Sequence, residues 1–273
     1  MEAEAATDSN SIASDEETDR RPSLNTLALM RKATTPANIS SIAIEDWRSG
    51  IYKGVLLKNN TQKFWVDEKL HKNCFLVLPK ACDIDRSKKG SCLSINQSKK
   101  GSCLSIYWSK KRSKKGSCLS INQSKKGSCL SIDWSKKGSC LSWITEKENC
   151  FRSVADIHVI ELKKLSWLLI EGRFKTRALS PDTKYEVAFV VKLGTDFEWQ
   201  CPVELELGLP DGTKQTRTED LKPKPKEEWI NLRAGEFRMR SETVGTIYFA
   251  LHGTSDPQKS GLILRGVLIH LTD

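Results

Sequence analysis

The sequence predicts an all-β protein, an antiparallel β-sandwich of jelly-roll type with a long basic repeat insertion and a disordered, acidic N-terminal tail. Three observations lead to this prediction. Several segments in the second half of the chain alternate apolar and polar residues, as half-buried strands do. One eight-residue sequence occurs five times in the middle of the chain. The first residues are rich in acids, serine and threonine and poor in aromatic residues.

The chain divides into a tail and a domain. Residues 1–49 are predicted to form the acidic, mostly disordered tail, because this composition buries too little apolar surface to order a chain, and a short helix is allowed over residues 39–48. Residues 50–273 are predicted to form the β domain, which residues 87–142 interrupt. The sequence after Met1 has no signal-peptide pattern, and no run of eighteen apolar residues occurs. We therefore expect a cytosolic protein with reduced thiols and no membrane span.

The strand prediction depends on alternation. In residues 185–193 every second residue is apolar, and the same pattern recurs in residues 203–209 and 247–251. A Pro-Asp-Gly turn at residues 210–212 separates two of these segments, and residues 262–271 resemble a buried strand. Several such strands without long helical patterns between them favour a sandwich of antiparallel sheets.

The repeat has the sequence Ser-Lys-Lys-Gly-Ser-Cys-Leu-Ser. Its Cys-Leu-Ser-Ile part alternates like a strand, and its Lys-Lys-Gly-Ser part has the composition of a turn. Residues 81–89 resemble a decayed copy that is one residue short. We interpret the block as one native strand and turn that was duplicated. The five copies begin at Ser87, Ser98, Ser113, Ser124 and Ser135.

The positive charge of the protein is local. Residues 87–142 hold twelve lysines, Arg112 and a single acid, Asp133, which gives 13 − 1 = +12 against +10 for the whole chain and leaves −2 for the rest. These lysines, with Trp108 and Trp134, resemble a charged and stacking strip for single-stranded RNA, and the alternative is a solvated loop without function. A run with the composition of a nuclear-import signal consists of Lys110, Lys111, Arg112, Lys114 and Lys115.

Five of the nine cysteines are repeat copies. Successive copies are separated by ten or fourteen residues with no histidine among them, so the spacing does not predict a zinc site, and we expect no metal and no cofactor. The same cysteines suggest one alternative function, a structural protein that is crosslinked through thiols.

Seven stretches of the chain, taken in order, resemble the plant phloem protein 2 lectins, which include the Nictaba-related lectins. This resemblance implies a jelly-roll β-sandwich that binds N-acetylglucosamine oligomers and N-glycan cores in the cytoplasm and nucleus, and that fills sieve elements in phloem members. The implied partners are glycoproteins that carry N-acetylglucosamine; RNA and a second copy of the chain are alternatives. The stretches lie at residues 63–67, 72–75, 130–134, 167–172, 179–185, 229–237 and 259–267.

The resemblance also implies the site. The family's sugar-stacking tryptophan in Leu-Ser-Ile-x-Trp corresponds to Trp134 and recurs at Trp108, whereas a later Tyr-Trp-x-Trp stretch retains only its last aromatic residue. The family's two acidic contacts correspond to about Gly245 and His252, which departs from the family pattern. The predicted carbohydrate-binding residues are Trp134, Trp108, Trp143 and His252.

Other residues are predicted to have structural roles. The four histidines are scattered and no catalytic motif occurs, so we expect no enzyme activity. Glu204 and Glu206 are interpreted as ordinary solvent-facing residues of a strand. Large aromatic residues are usually buried, so we expect three tryptophans to pack on the inner faces of their strands: Trp65, Trp167 and Trp229.

Overall fold

The computed structural model describes residues 23–34, 50–85, 141–163, 168–253 and 259–272. They form two antiparallel sheets, one of eight strands and one of five. Buried side chains from both sheets belong to one hydrophobic core, so the predicted β-sandwich is confirmed. Residues 1–22, the helix predicted over residues 39–48 and most of the repeat block lie outside the described residues.

The strands of the eight-stranded sheet are β1 Val55–Leu57, β2 Gln62–Val66, β3 Asn73–Val77, β5 Leu141–Cys150, β6 Ser153–Leu162, β8 Lys184–Glu198, β11 Trp229–Arg238 and β13 Ser260–Leu271. The sheet is organised around β13. Along one side β13 pairs with β8, which in turn pairs with β11. Along the other side, its first part pairs with β6 and its second part with β3.

The strands of the five-stranded sheet are β4 Asp83–Asp85, β7 Leu168–Lys175, β9 Val203–Gly208, β10 Lys214–Glu219 and β12 Thr246–Gly253. Their order in the sheet is β10-β9-β12-β7-β4. The middle strand, β12, is paired on both sides and is therefore held in a fixed register. Short 3₁₀ helices lie at Pro79–Ala81, Thr176–Ala178 and Ser241–Thr243.

The core lies between the sheets, where the alternation of the sequence places it. Val187 and Phe189 of β8 are fully buried, as are Leu205 of β9 and Phe249 of β12. The rings of Phe189 and Phe249 meet edge to face across the two sheets, with centroids 6.1 Å apart. The predicted inward faces of these three strands are therefore confirmed.

A second apolar cluster lies on the opposite face of the eight-stranded sheet. Leu56 and Leu76 each stand between two residues of the main core, so they point to the outer face, where Ile157 and Val159 of the β5–β6 hairpin join them. Trp65 and Trp229 pack against this outer cluster. The prediction that both tryptophans face inward is therefore wrong, because a second layer of side chains shelters them on the outer face. Trp167 lies outside the described residues.

One part of the predicted tail is ordered. A short helix, α1 Leu24–Met30, begins at Ser23, whose hydroxyl accepts a hydrogen bond from the backbone N–H of Thr26. Met30 is buried in the main core, and the Thr26 hydroxyl donates to Asn73 Oδ1 over 3.0 Å. Packing against the domain thus holds a helix that the tail's composition did not predict.

Candidate functional site

Three adjacent strands of the five-stranded sheet bring outward side chains together. Ala250 of β12 pairs with Glu206 of β9 on one side and with Glu171 of β7 on the other. The neighbours of Ala250 in the chain, Phe249 and Leu251, point into the core, so Ala250 and the two glutamates face outward. A methyl group therefore lies between two carboxylates, and surrounding side chains cover it completely.

Tyr248 stands one row away on the same face. Its hydroxyl donates to Glu171 Oε2 over 2.9 Å. Burial raises the pKa of Tyr248, and the hydrogen bond to Glu171 and the charges of Glu171 and Glu206 raise it further. The phenol therefore stays protonated at neutral pH. The residue opposite Tyr248 on β9 is Gly208, so the cross-strand partner of the ring on that side has no side chain.

His252 completes the arrangement on the other side of Ala250. It pairs with Glu204 of β9, and its Nε2 lies 3.7 Å from Glu206 Oε2. The ammonium group of Lys214, on β10, lies 2.9 Å from the same carboxylate oxygen. We call the five residues of this surface the polar face: Glu171, Glu204, Glu206, Tyr248 and His252.

The polar face has the chemistry that a saccharide requires. A pyranose has an apolar C–H side and a rim of hydroxyl groups, so its binding site needs an aromatic ring and fixed hydrogen-bonding partners. The carboxylates can accept hydrogen bonds from hydroxyl groups, and a tyrosine ring can contact the C–H side. Because the side chains stand on neighbouring paired strands, their backbone positions are fixed before a ligand arrives.

The structure does not bring the predicted site residues together. Trp143 lies on β5 of the eight-stranded sheet, whereas His252 lies on β12 of the five-stranded sheet. Trp143 is 52% exposed and meets His158 edge to face, with ring centroids 6.4 Å apart. Gly245 lies in the turn before β12, where its N–H donates to Thr176 Oγ1 over 2.9 Å. The predictions for Trp108, Trp134 and the nuclear-import-like run at residues 110–115 lie outside the described residues.

The two ends of the repeat block belong to different sheets. Part of the decayed copy at residues 81–89 forms β4, which pairs with β7 beside Glu171. The last two residues of the fifth copy, Leu141 and Ser142, begin β5. The decayed copy therefore supplies a strand of the sandwich next to the polar face.

Alternation in the sequence predicts little of the polar face. It identifies Glu204 and Glu206 as ordinary solvent-facing residues, and it gives no reason to place Glu171 and Tyr248 in a binding site. These residues lie on three separate strands. Knowing that these strands are neighbours requires the pairing of β12 with β7 and β9, which alternation does not give.

The fold and this surface define a β-sandwich protein with hydrogen-bonding groups and an aromatic ring on one sheet face. The family model described as "Phloem protein 2" matches residues 117–271, more than half of the chain. The "Protein PHLOEM PROTEIN 2-LIKE A1" of Arabidopsis thaliana is 31% identical over 251 residues, which cover 90% of this chain and 79% of that protein. A "Lectin" of Luffa acutangula is 36% identical over 115 residues, which cover 41% of this chain and 54% of that lectin.

The chain therefore belongs to the phloem protein 2 family, as the resemblance predicted. Among solved structures, TmCBM61 in complex with β-1,4-galactotriose is 12% identical, with a TM-score of 0.29, and the match covers 42% of this chain and 72% of that one. An agreement at this level supports no conclusion about the site. No helix in the described parts of the chain is long and apolar enough to cross a membrane.

Proposed function

We propose that this protein is a carbohydrate-binding lectin that holds its ligand on the polar face. The observation that carries the proposal is the convergence of Glu171, Glu206 and Tyr248 around Ala250 on three paired strands. Buried or fixed carboxylates form strong hydrogen bonds with hydroxyl groups, and a neighbouring ring adds contact with the sugar's C–H side. The names of relatives support the same class, since the Luffa acutangula relative is a lectin.

The finer parts of the proposal come from the family resemblance. The ligand class is N-acetylglucosamine oligomers or N-glycan cores, with Trp134, Trp108 and Trp143 as further stacking residues. The sandwich is of jelly-roll type. The protein acts in the cytoplasm, with the nucleus as a second compartment, and the family resemblance adds phloem sieve elements. RNA binding through the lysine-rich repeats and self-association remain predictions, since most of the repeat lies outside the described residues.

The protein acts without catalysis. A glycosidase needs one carboxyl group that donates a proton and a second carboxylate that faces it across the bond to be broken. Here Glu171 accepts a hydrogen bond from Tyr248, and Glu206 pairs with Lys214. Both carboxylates are thus held as acceptors, the role that hydroxyl binding requires.

Crosslinking through thiols receives less support from the described cysteines. Burial raises the pKa of Cys74 to about 12, and it also raises the pKa of the Cys150 thiol. Thiolates are the reactive form, so these two cysteines are poorly suited to disulfide exchange. Cys82 and Cys201 are partly exposed, so the alternative depends on these two cysteines and on the repeat cysteines, which lie outside the described residues.

Retention on immobilised N-acetylglucosamine oligomers tests the function. The full-length protein should be retained and should elute with free oligomer. Tyr248→Ala and Glu206→Gln should each weaken binding roughly 10- to 100-fold, because a hydrogen bond to a charged group contributes about 1.5–3 kcal/mol. Glu198→Gln, a change of an exposed glutamate on the other sheet, should leave binding unchanged.

Two outcomes would contradict this proposal. If the unmodified protein binds no saccharide on a broad glycan array, it is not a lectin. If Trp143→Ala abolishes binding while Tyr248→Ala and Glu206→Gln do not change it, the protein is a lectin but the polar face is not its site. Circular dichroism of each variant would show that the sandwich is intact.

A further inference from the structure

Three metal-binding side chains meet at one end of the polar face. Glu204 and His252 are a cross-strand pair, and Glu206 lies two residues along the same strand as Glu204. One potential ligand atom from each side chain lies within 4.8 Å of the other two. For comparison, a tetrahedral zinc ion with bonds of about 2.1 Å would hold its ligand atoms roughly 3.4 Å apart. Small side-chain rotations would therefore bring all three atoms to one ion.

The imidazole of His252 is the second observation that points to a ligand. Its Nε2 atom is shielded from solvent, yet it has no hydrogen-bond partner among the described residues. The carboxylate of Glu206, at 3.7 Å, is beyond hydrogen-bonding distance. Buried polar atoms are nearly always satisfied, so a nitrogen left in this state beside two carboxylates suits a metal ligand.

The side chain of Lys214 already places a positive charge next to Glu206. The ammonium group of Lys214 lies 2.9 Å from Glu206 Oε2, while the side chain itself is 59% exposed. The carboxylates therefore attract positive charge at this point, and the long lysine side chain is free to swing into solvent. Lys214 would compete with a metal ion without blocking its access.

We propose that Glu204, Glu206 and His252 bind one divalent transition-metal ion of the zinc class. Imidazole nitrogen together with carboxylate oxygen suits Zn²⁺. Three protein ligands leave at least one coordination position open. The expectation of no metal came from cysteine spacing alone, whereas these ligands come from two strands 46 residues apart or more.

A second histidine–glutamate pair, His270 and Glu186 on the eight-stranded sheet, serves as a comparison for His252. His270 Nε2 is also shielded and has no hydrogen-bond partner among the described residues. It lies 3.4 Å from Glu186 Oε1, and His270 is 31% exposed, close to the 29% of His252. The carboxylate of Glu186, however, is paired with Arg233 Nε at 3.1 Å. A fixed guanidinium neutralises the carboxylate at this histidine, so we expect no metal binding there.

Histidine side-chain NMR of the full-length protein during titration with Zn²⁺ alone tests the proposal. The chain has only four histidines, so each imidazole can be followed separately. The resonances of His252 should shift first and saturate at one ion. Glu204→Gln should raise the required zinc concentration at least 10-fold, and Lys214→Met should lower it several-fold. His270→Gln should change nothing.

The inference is overturned if the resonances of His252 do not move before those of the other histidines, or if Glu204→Gln leaves the titration unchanged. Zinc captured only by cysteines would leave all four imidazoles unmoved and would overturn it as well. No saccharide is present in this experiment. Its failure would therefore leave the lectin proposal intact, and a failure of saccharide binding would leave the metal site intact.

Discussion

Replacing Glu148 with glutamine is expected to lower the free energy of unfolding by about 3 kcal/mol. Glu148, on β5, accepts hydrogen bonds from Lys63 of β2 and Arg265 of β13, each over 2.5 Å. The side chains of Glu148, Lys63 and Arg265 are only 11%, 16% and 25% exposed. The substitution leaves two largely desolvated cations without their counter-charge, and it weakens the side-chain links from β5 to β2 and β13.

A matched control lies on the same strand. Lys147 forms an ion pair with Asp156 over 2.6 Å, but the two side chains are 71% and 52% exposed. Exposed pairs contribute little, so Lys147→Ala should cost less than about 1 kcal/mol. Urea unfolding of both variants checks the comparison. If Glu148→Gln and Lys147→Ala lowered the free energy of unfolding equally, the burial of the Glu148 ion pairs would have no energetic consequence.

The contribution of Glu148, Lys63 and Arg265 to the free energy of unfolding depends on pH. Burial alone would raise the pKa of Glu148, but the hydrogen bonds and charges of Lys63 and Arg265 outweigh it and hold the pKa below its ordinary value. The stabilisation is therefore present above the carboxyl's unfolded-state pKa and is lost as the pH falls through the lowered folded-state pKa. Glu148→Gln should remove this part of the acid sensitivity.

Replacing Phe249 with alanine is expected to lower the free energy of unfolding by about 4 kcal/mol. Phe249 is fully buried, contacts Phe189 of the other sheet, and belongs to the strand that carries the polar face. Removing the ring leaves a cavity between the two sheets, which close packing cannot refill without moving strands. Thermal and urea unfolding measure the loss.

Thr246, at the exposed start of the same strand, is the control for Phe249. Thr246→Ala should change stability by about 0.5 kcal/mol or less, since the side chain of Thr246 is exposed to solvent. If Phe249→Ala cost as little as Thr246→Ala, the two sheets would not share the core described above.

The sequence predicts which residues of each strand face the core better than it predicts contacts between distant segments. The inward faces of β8, β9 and β12 followed from alternation, because the pattern of each strand is local. Alternation did not predict that Trp65 and Trp229 pack on the outer face, because this packing depends on the β5–β6 hairpin, which comes from another part of the chain. The helix α1 was missed for a similar reason, since contacts with distant residues stabilise it.

The candidate site shows the same limit. The resemblance to phloem protein 2 lectins pointed to His252, and the structure places His252 on the polar face. The resemblance could not identify Glu171, because that residue joins the polar face only through the pairing of β7 with β12. A pattern within one strand identifies which face a residue occupies, but the neighbours across strands are set by the tertiary fold.

The most direct test of the account is to locate a bound saccharide on the full-length protein by backbone NMR during titration with an N-acetylglucosamine oligomer. The account predicts that the largest shifts map to Glu171, Glu206, Tyr248 and Ala250 on the five-stranded sheet. Shifts confined to Trp143 and the β5–β6 hairpin, or no shifts at saturating oligomer, would contradict it.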